Sequence, residues 1–152
     1  MVSHIRQLGM RGMIDLDRPA VERLQQLTHG GFAMSWPEVV WIVNHPDGRG
    51  MTAKVDELTV GMLLWWEVMN HRCVLDVVVA AAFRRQGIGA AMLYQLLHKR
   101  GTVTARVRES NCEAQAFFLA QGFRATEVVP SPWPKCPHED GYEFRFQTTA
   151  CG

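Results

Sequence analysis

Apolar residues recur along this chain first at helical spacing and then in strand-like runs. From Pro19, the residues Ala20, Val21, Leu24 and Leu27 lie three or four apart behind Asp17 as a cap, and Gly30-Gly31 ends the helix. A second short helix starts behind Ser35, with Trp36, Val39, Val40 and Val43 as its apolar face, and stops before Pro46. His45-Pro46-Asp47-Gly48 reads as a turn. Strands follow over about 50–55, 59–69 and 72–80, joined by turns at Asp56-Glu57 and Asn70-His71. The strand over 72–80 is apolar almost throughout, as a strand buried on both faces of a central sheet should be. Residues 88–100 predict a helix, with Lys99 and Arg100 suited to the negative end of its dipole. Beyond Gly101, residues 102–108 alternate as a strand, 111–121 form a helix, and 123–129 and 141–147 are closing strands. Pro130, Pro132, Pro134 and Pro137 demand a loop over 130–140. With no repeat and no linker, the expectation is one α/β domain over 1–152 with a mixed sheet.

Composition bounds the function. A chain of 152 residues is one domain's worth, with 47% hydrophobic and 20% charged residues, as in an ordinary globular protein. A net charge of +1 gives no general pull toward nucleic acid or an anionic membrane, and neither is expected as a partner. No apolar run approaches the ~20 residues that span a bilayer, and the first residues lack a signal-peptide pattern. Cys73, Cys112, Cys136 and Cys151 show no paired metal-type spacing, so no metal is expected, and reduced thiols in the cytoplasm are.

The chemistry concentrates in Arg84-Arg85-Gln86-Gly87-Ile88-Gly89-Ala90, between the apolar run 74–82 and the helix that follows. Two glycines allow a tight turn in which several N–H groups converge, and the helix adds its own unpaired N–H groups and positive dipole end. Such a cradle suits a phosphate or pyrophosphate, and it explains two arginines crowded against a helix N-terminus. A P-loop is excluded, because Ile88 and Gly89 stand where Lys and Ser/Thr are needed. A dinucleotide fingerprint lacks its third small residue, since position 92 is Met92, although Glu109 stands at the right distance to bind a ribose. A plain glycine-rich turn leaves both arginines unexplained.

Arg-x-x-Gly-x-Gly/Ala after an apolar strand resembles the acyl-CoA pyrophosphate loop of the GCN5-related N-acetyltransferase (GNAT) superfamily. Val107-Arg108-Glu109-Ser110-Asn111, with Ala116-Phe117-Phe118-Leu119-Ala120-Gln121-Gly122-Phe123, resembles that superfamily's next strand–helix unit and its closing Gly-Phe pair. The stretch 32–37, with Trp36-Pro37, resembles the second-helix region of the RimI-like branch, which acetylates α-amino groups of ribosomal and other proteins. The resemblance implies a mixed, mostly antiparallel sheet flanked by helices, with acetyl-CoA bound as cosubstrate at a splayed pair of strands. It assigns the pantetheine contacts to the main chain of Val77, Val78 and Val79. Arg84, Arg85, Gln86, Gly87, Ile88, Gly89 and Ala90 would take the pyrophosphate. Asn111 would reach the cofactor arm or simply cap its helix, and Phe118 would lie beside the cofactor. The implied reaction is direct attack by an amine in a ternary complex, with a peptide or protein α-amine favoured, a small-molecule amine open, and a monomer or homodimer as the working form.

Catalysis is where the chain departs from these relatives. The position of their glutamate base holds Arg106, and that of their tyrosine acid holds Phe118. A thiolate leaves at a cost of about 2 kcal/mol at pH 7, so an acid is dispensable. Deprotonating a lysine amine costs about 4.6 kcal/mol there and an α-amine about 1 kcal/mol, while positioning two reactants contributes roughly 7–11 kcal/mol. A weakly basic amine is therefore the expected acceptor. Asp76 is the candidate base, as a charge in an apolar strand, with a surface-facing or salt-bridged residue as the other reading. Glu67 and Glu109 are further carboxylates, more simply read as solvated charges. The alternative function is a non-catalytic acyl-CoA-binding module. Trp36, Trp41, Trp65, Trp66 and Trp133 fall in regions that surround the family's acceptor mouth, and Trp65 and Trp66 must face opposite sides of their strand.

Overall fold

The structure, a computed structural model, describes residues 8–13, 17–29, 33–133 and 137–148. In chain order these form β1 (Leu8–Gly12), α1 (Arg18–His29), α2 (Trp36–Asn44), β2 (Gly48–Val55), β3 (Leu58–Val68) and β4 (His71–Val79). Then come α3 (Ile88–Leu97), β5 (Gly101–Arg108), α4 (Cys112–Ala120), β6 (Arg124–Val129) and β7 (Gly141–Thr148). The strands make one sheet in the order β1-β2-β3-β4-β5-β7-β6, antiparallel at every pairing except β4–β5. This is the mixed, mostly antiparallel α/β architecture expected. No helix among the described residues is long and apolar enough to cross a membrane.

Each face of the sheet carries its own core. Val21, Leu24, Val39 and Ile42 of α1 and α2 pack on Met62, Leu64 and Val78. Ile88, Met92, Leu93, Leu96 and Phe118 of α3 and α4 pack with Leu63, Trp65, Val74, Val103 and Phe144 on the opposite face. Strand alternation divides the tryptophan pair: Trp65 is buried beneath α3, and Trp66 meets Trp41 and His45 on the other side. Ser35 and Glu38 form a reciprocal capping box that starts α2.

Several expectations are corrected. β1 was not anticipated, because Leu8–Gly12 holds two glycines and no clear alternation; pairing with β2 makes it a strand. Leu27, assigned to the apolar face of α1, is 79% exposed, while Gln25 is buried at 1%. Gln25 can be buried because its amide is used: Met34 N–H donates to Oε1, and Nε2 donates to Asp76. The second hairpin turns at Met69-Asn70, one residue early, with Met69 in the left-handed region at φ 54°. The Gly30-Gly31 stop, Phe32, Pro134, Cys136 and Cys151 lie outside the described residues.

α3 ends at Leu97, before the Lys99-Arg100 pair expected to complement its dipole. Arg72 serves that end instead, from inside the sheet. It is 4% exposed, and its guanidinium donates to the carbonyls of Leu96 (3.1 Å), Lys99 (3.4 Å) and Arg100 (2.8 Å), with Glu67 3.5 Å away. One last-turn carbonyl, two carbonyls of the turn that follows and the buried charge are thereby paired together. Replacing Arg72 with Leu should lower unfolding free energy by about 3 kcal/mol in urea titrations, because buried carbonyls and Glu67 lose their partner. A loss below about 0.5 kcal/mol would show that water replaces the guanidinium.

Candidate active site

One irregularity in β4 creates the site. Leu64 faces Asp76 and Trp65 faces Val74, so Leu75 is an extra residue, a bulge. β4 pairs with β5 only from His71↔Thr102 to Val74↔Ala105, whereas its pairing with β3 continues to Gly61↔Val79. Beyond the bulge the two parallel strands separate, and the main chain of Val77, Val78 and Val79 has no strand partner on the β5 side. The opening is a cleft of about 860 Å³.

The chain leaves β4 through one 3-10 turn, Ala81–Phe83, and enters α3 through Gly87 at φ 79°. Arg85 also takes a left-handed conformation, at φ 63°, which costs a non-glycine residue about 1 kcal/mol or more. No side chain caps α3, so its first N–H groups stay available beside the cleft. Uncapped N–H groups, the positive dipole end and two arginines form a site suited to a diphosphate. Arg84 is held in place, its Nε donating to Val79 O (3.0 Å) and its Nη1 3.6 Å from Glu113.

Most of the expected site residues converge. Val77, Val78, Val79, Arg84, Arg85, Gly87, Ile88, Gly89, Ala90 and Asn111 all line the cleft. Asn111 combines its two readings: Oδ1 accepts from Ala114 N–H (3.0 Å) as a helix cap, while the residue borders the cleft. Two expected residues stand apart. Gln86 is exposed but not part of the lining. Phe118 is 4% exposed and packed against Phe117, Phe123 and Phe144 in the core. Successive residues of a helix point about 100° apart, so α4 can turn only one of this pair to the cleft, and it turns Phe117.

Around the reacting end, Arg106 lies on β5 just past the last β4 pair, with its Nε 4.0 Å from Glu143 across the β5–β7 pairing. Glu67 accepts from Trp65 Nε1 (3.2 Å) and neighbours Arg72, and Glu109 accepts from Asp140 N–H (3.3 Å). Glu67, half-buried, is thereby held in place, whereas Glu109 stays exposed, as expected of a solvated charge. Among the described cysteines, Cys73 is half-buried and Cys112 exposed, and no described His/Cys/Asp/Glu cluster could hold a metal.

Asp76 does not line the cleft. It faces α1, where Gln25 Nε2 and His29 Nε2 both donate to it, the latter at 3.0 and 3.2 Å. The group that does line the cleft is His29, together with Thr28. Hydrogen bonding to Asp76 raises the His29 pKa above its usual 6.5; burial opposes this, the Asp76 charge adds to it, and Arg108 and Arg84 oppose it. His29 was not found from sequence, because a histidine one residue before a helix stop carries no signal of its partner on a strand 47 positions away.

Comparison with known proteins decides the family. The model of the acetyltransferase (GNAT) family matches residues 18–123. This chain belongs to that family. It is an N-acetyltransferase, and acetyl-CoA is its acetyl donor. Among curated GNAT relatives, the [ribosomal protein bS18]-alanine N-acetyltransferase of Salmonella typhimurium is 28% identical over 132 residues, covering 82% of this chain and 86% of the relative. The Escherichia coli K12 protein of the same name is 26% identical over 125 residues, covering 78% and 82%. The crystal structure of the ribosomal-protein-S18-alanine N-acetyltransferase from Escherichia coli superposes with a TM-score of 0.77 at 22% identity, covering 96% and 97%. Ard1 from Thermoplasma volcanium gives 0.81 at 20% identity, covering 94% and 99%. These two structures show the same fold.

Two measurements follow from the geometry. A Cβ on Gly89 would meet Phe117 at 3.1 and 3.3 Å and Val79 at 3.6 Å, so Gly89→Val should push Phe117 into the cleft. Acetyl-CoA affinity by calorimetry should fall at least about tenfold, a loss of ~1.4 kcal/mol in binding. Unchanged affinity would place the ligand elsewhere. His29 supplies a pH signature. Its folded pKa is raised, so the stability it contributes is fully present below about pH 6.5 and lost as pH rises through the folded value. Urea unfolding from about pH 5.5 to 8.5 should show the wild type's advantage over His29→Gln shrinking as pH rises. A constant or growing advantage would contradict the His29–Asp76 pairing.

Proposed function

We propose that this N-acetyltransferase acts on the α-amine of a peptide or protein N-terminus, by direct attack in a ternary complex, with the chain working as one domain. The observation that carries the reading is the β4–β5 split opening onto an uncapped α3 N-terminus. In this reading the main chain of Val77, Val78 and Val79 supplies hydrogen bonds to the pantetheine amides. Arg84, Arg85 and the N–H groups of Gly87, Ile88, Gly89 and Ala90 hold the diphosphate. Asn111, whose Nδ2 is not used in capping, donates to the arm between them. Acetyl-CoA brings an activated thioester, so the protein need only orient an unprotonated amine and exclude water.

The acceptor class rests on two independent supports. Arg106 stands where related enzymes carry a glutamate, and without that base the ~3.6 kcal/mol lower deprotonation cost of an α-amine relative to lysine at pH 7 favours N-termini. The bS18-alanine acetyltransferases are among the chain's relatives, so an N-terminus beginning with alanine is the first acceptor to test. A cytoplasmic ribosomal protein fits as its bearer.

Saturating acetyl-CoA should raise the melting temperature, adding about 2.7 kcal/mol at 100 times the dissociation constant. CoA thiol release should be faster with a hexapeptide starting in alanine than with its N-terminally blocked, lysine-containing counterpart. Equal or faster turnover of the lysine peptide at pH 7 would overturn the acceptor assignment. Stabilisation by NAD alone would overturn the donor site.

A further inference from the structure

We propose that His29, held by Asp76, is the proton acceptor for the attacking amine. This rests on the α-amine reading above and supplies the base that Arg106 cannot be. The two residues come from different elements, α1 and β4, and meet on the sheet face opposite α3, next to the strand split. His29 lines the cleft, whereas the Asp76 side chain is 12% exposed and takes up two donors behind it.

The hydrogen bond settles the tautomer. With Nε2–H donated to Asp76, the lone pair resides on Nδ1, which has no hydrogen-bond partner among the described residues. A buried carboxylate behind an imidazole orients the ring and stabilises the imidazolium formed when Nδ1 takes a proton. The charged groups acting on His29 are Asp76 from β4, Arg108 from β5 and Arg84 from the loop, the arginines opposing protonation. Asp76 outweighs them, so the ring's pKa is raised and it holds the amine's proton more firmly. Gln25 completes the arrangement, fixing the second side of Asp76 from one turn earlier on α1.

The proton count closes. An ammonium gives one proton to Nδ1 and becomes a neutral amine with a lone pair. The new N–C(acetyl) bond replaces the thioester C–S bond, and the second amine proton is lost as the amide forms. Sulfur leaves as thiolate and takes up one proton, and His29 returns the other to solvent.

The test measures kcat/KM against pH with the alanine-starting peptide, and acetyl-CoA affinity by calorimetry. His29→Gln should lower kcat/KM about a hundredfold, with acetyl-CoA affinity within about twofold of wild type, and should lose the wild type's imidazole limb. Asp76→Asn should keep a limb but move its midpoint to lower pH, since the charge that raises His29 is gone. Added imidazole should restore part of the activity of His29→Ala. A His29→Gln profile matching wild type in rate and shape would overturn the proposal. So would a loss explained wholly by weaker acetyl-CoA binding, with no imidazole rescue. If the wild type acetylates a different amine, the acceptor reading fails and the same three variants are read with that amine. If it acetylates no amine, both readings fall.

Discussion

The extra residue at Leu75 is the constraint on which the rest of the molecule depends. A parallel pair such as β4 and β5 would ordinarily continue its ladder to the ends of both strands. Here β4 keeps faith with β3 through Val79 and leaves β5 after Val74. The polar backbone exposed by that choice would be costly if it were buried without partners. It borders an open cleft instead, where water satisfies it in the absence of ligand and an extended amide-bearing arm can do so in its presence. The core of each face is thick enough to tolerate the break, with α3 and α4 closing one side and α1 and α2 the other.

Charge is distributed to serve this opening. Uncapped α3 and the Arg84-Arg85 pair make one end positive, and the only described acidic group lining the cleft, Glu113, steadies Arg84. On the opposite sheet face Asp76 is a half-buried negative charge, matched by His29 and Gln25. Arg72, the buried cation, is spent on the far end of α3. In the proposed mechanism, donor binding and proton handling fall on two sides of the same split strand.

Much was legible in the chain because it is local. Two glycines, two arginines and an apolar strand pointed to the loop that borders the cleft, and helix and strand periods gave nearly every element to within a residue or two. Family membership followed from the same short motifs. Capping at Ser35 and Asn111 also depends on neighbours three residues away, so it can be read directly.

What the tertiary structure decided are pairings across long separations and choices between adjacent side chains. Asp76 was visible as an anomaly, a charge in an apolar strand, but its partners lie 47 and 51 positions away on α1. Only folding could reveal that His29, and not Asp76, faces the cleft. The same holds for Phe117 over Phe118, which the helical phase of α4 settles once its buried side is known, and for β1, a glycine-bearing segment that is a strand because β2 offers it an edge. Local sequence specifies backbone conformation and charge; which face is inside, and which partner waits there, is a property of the packed whole.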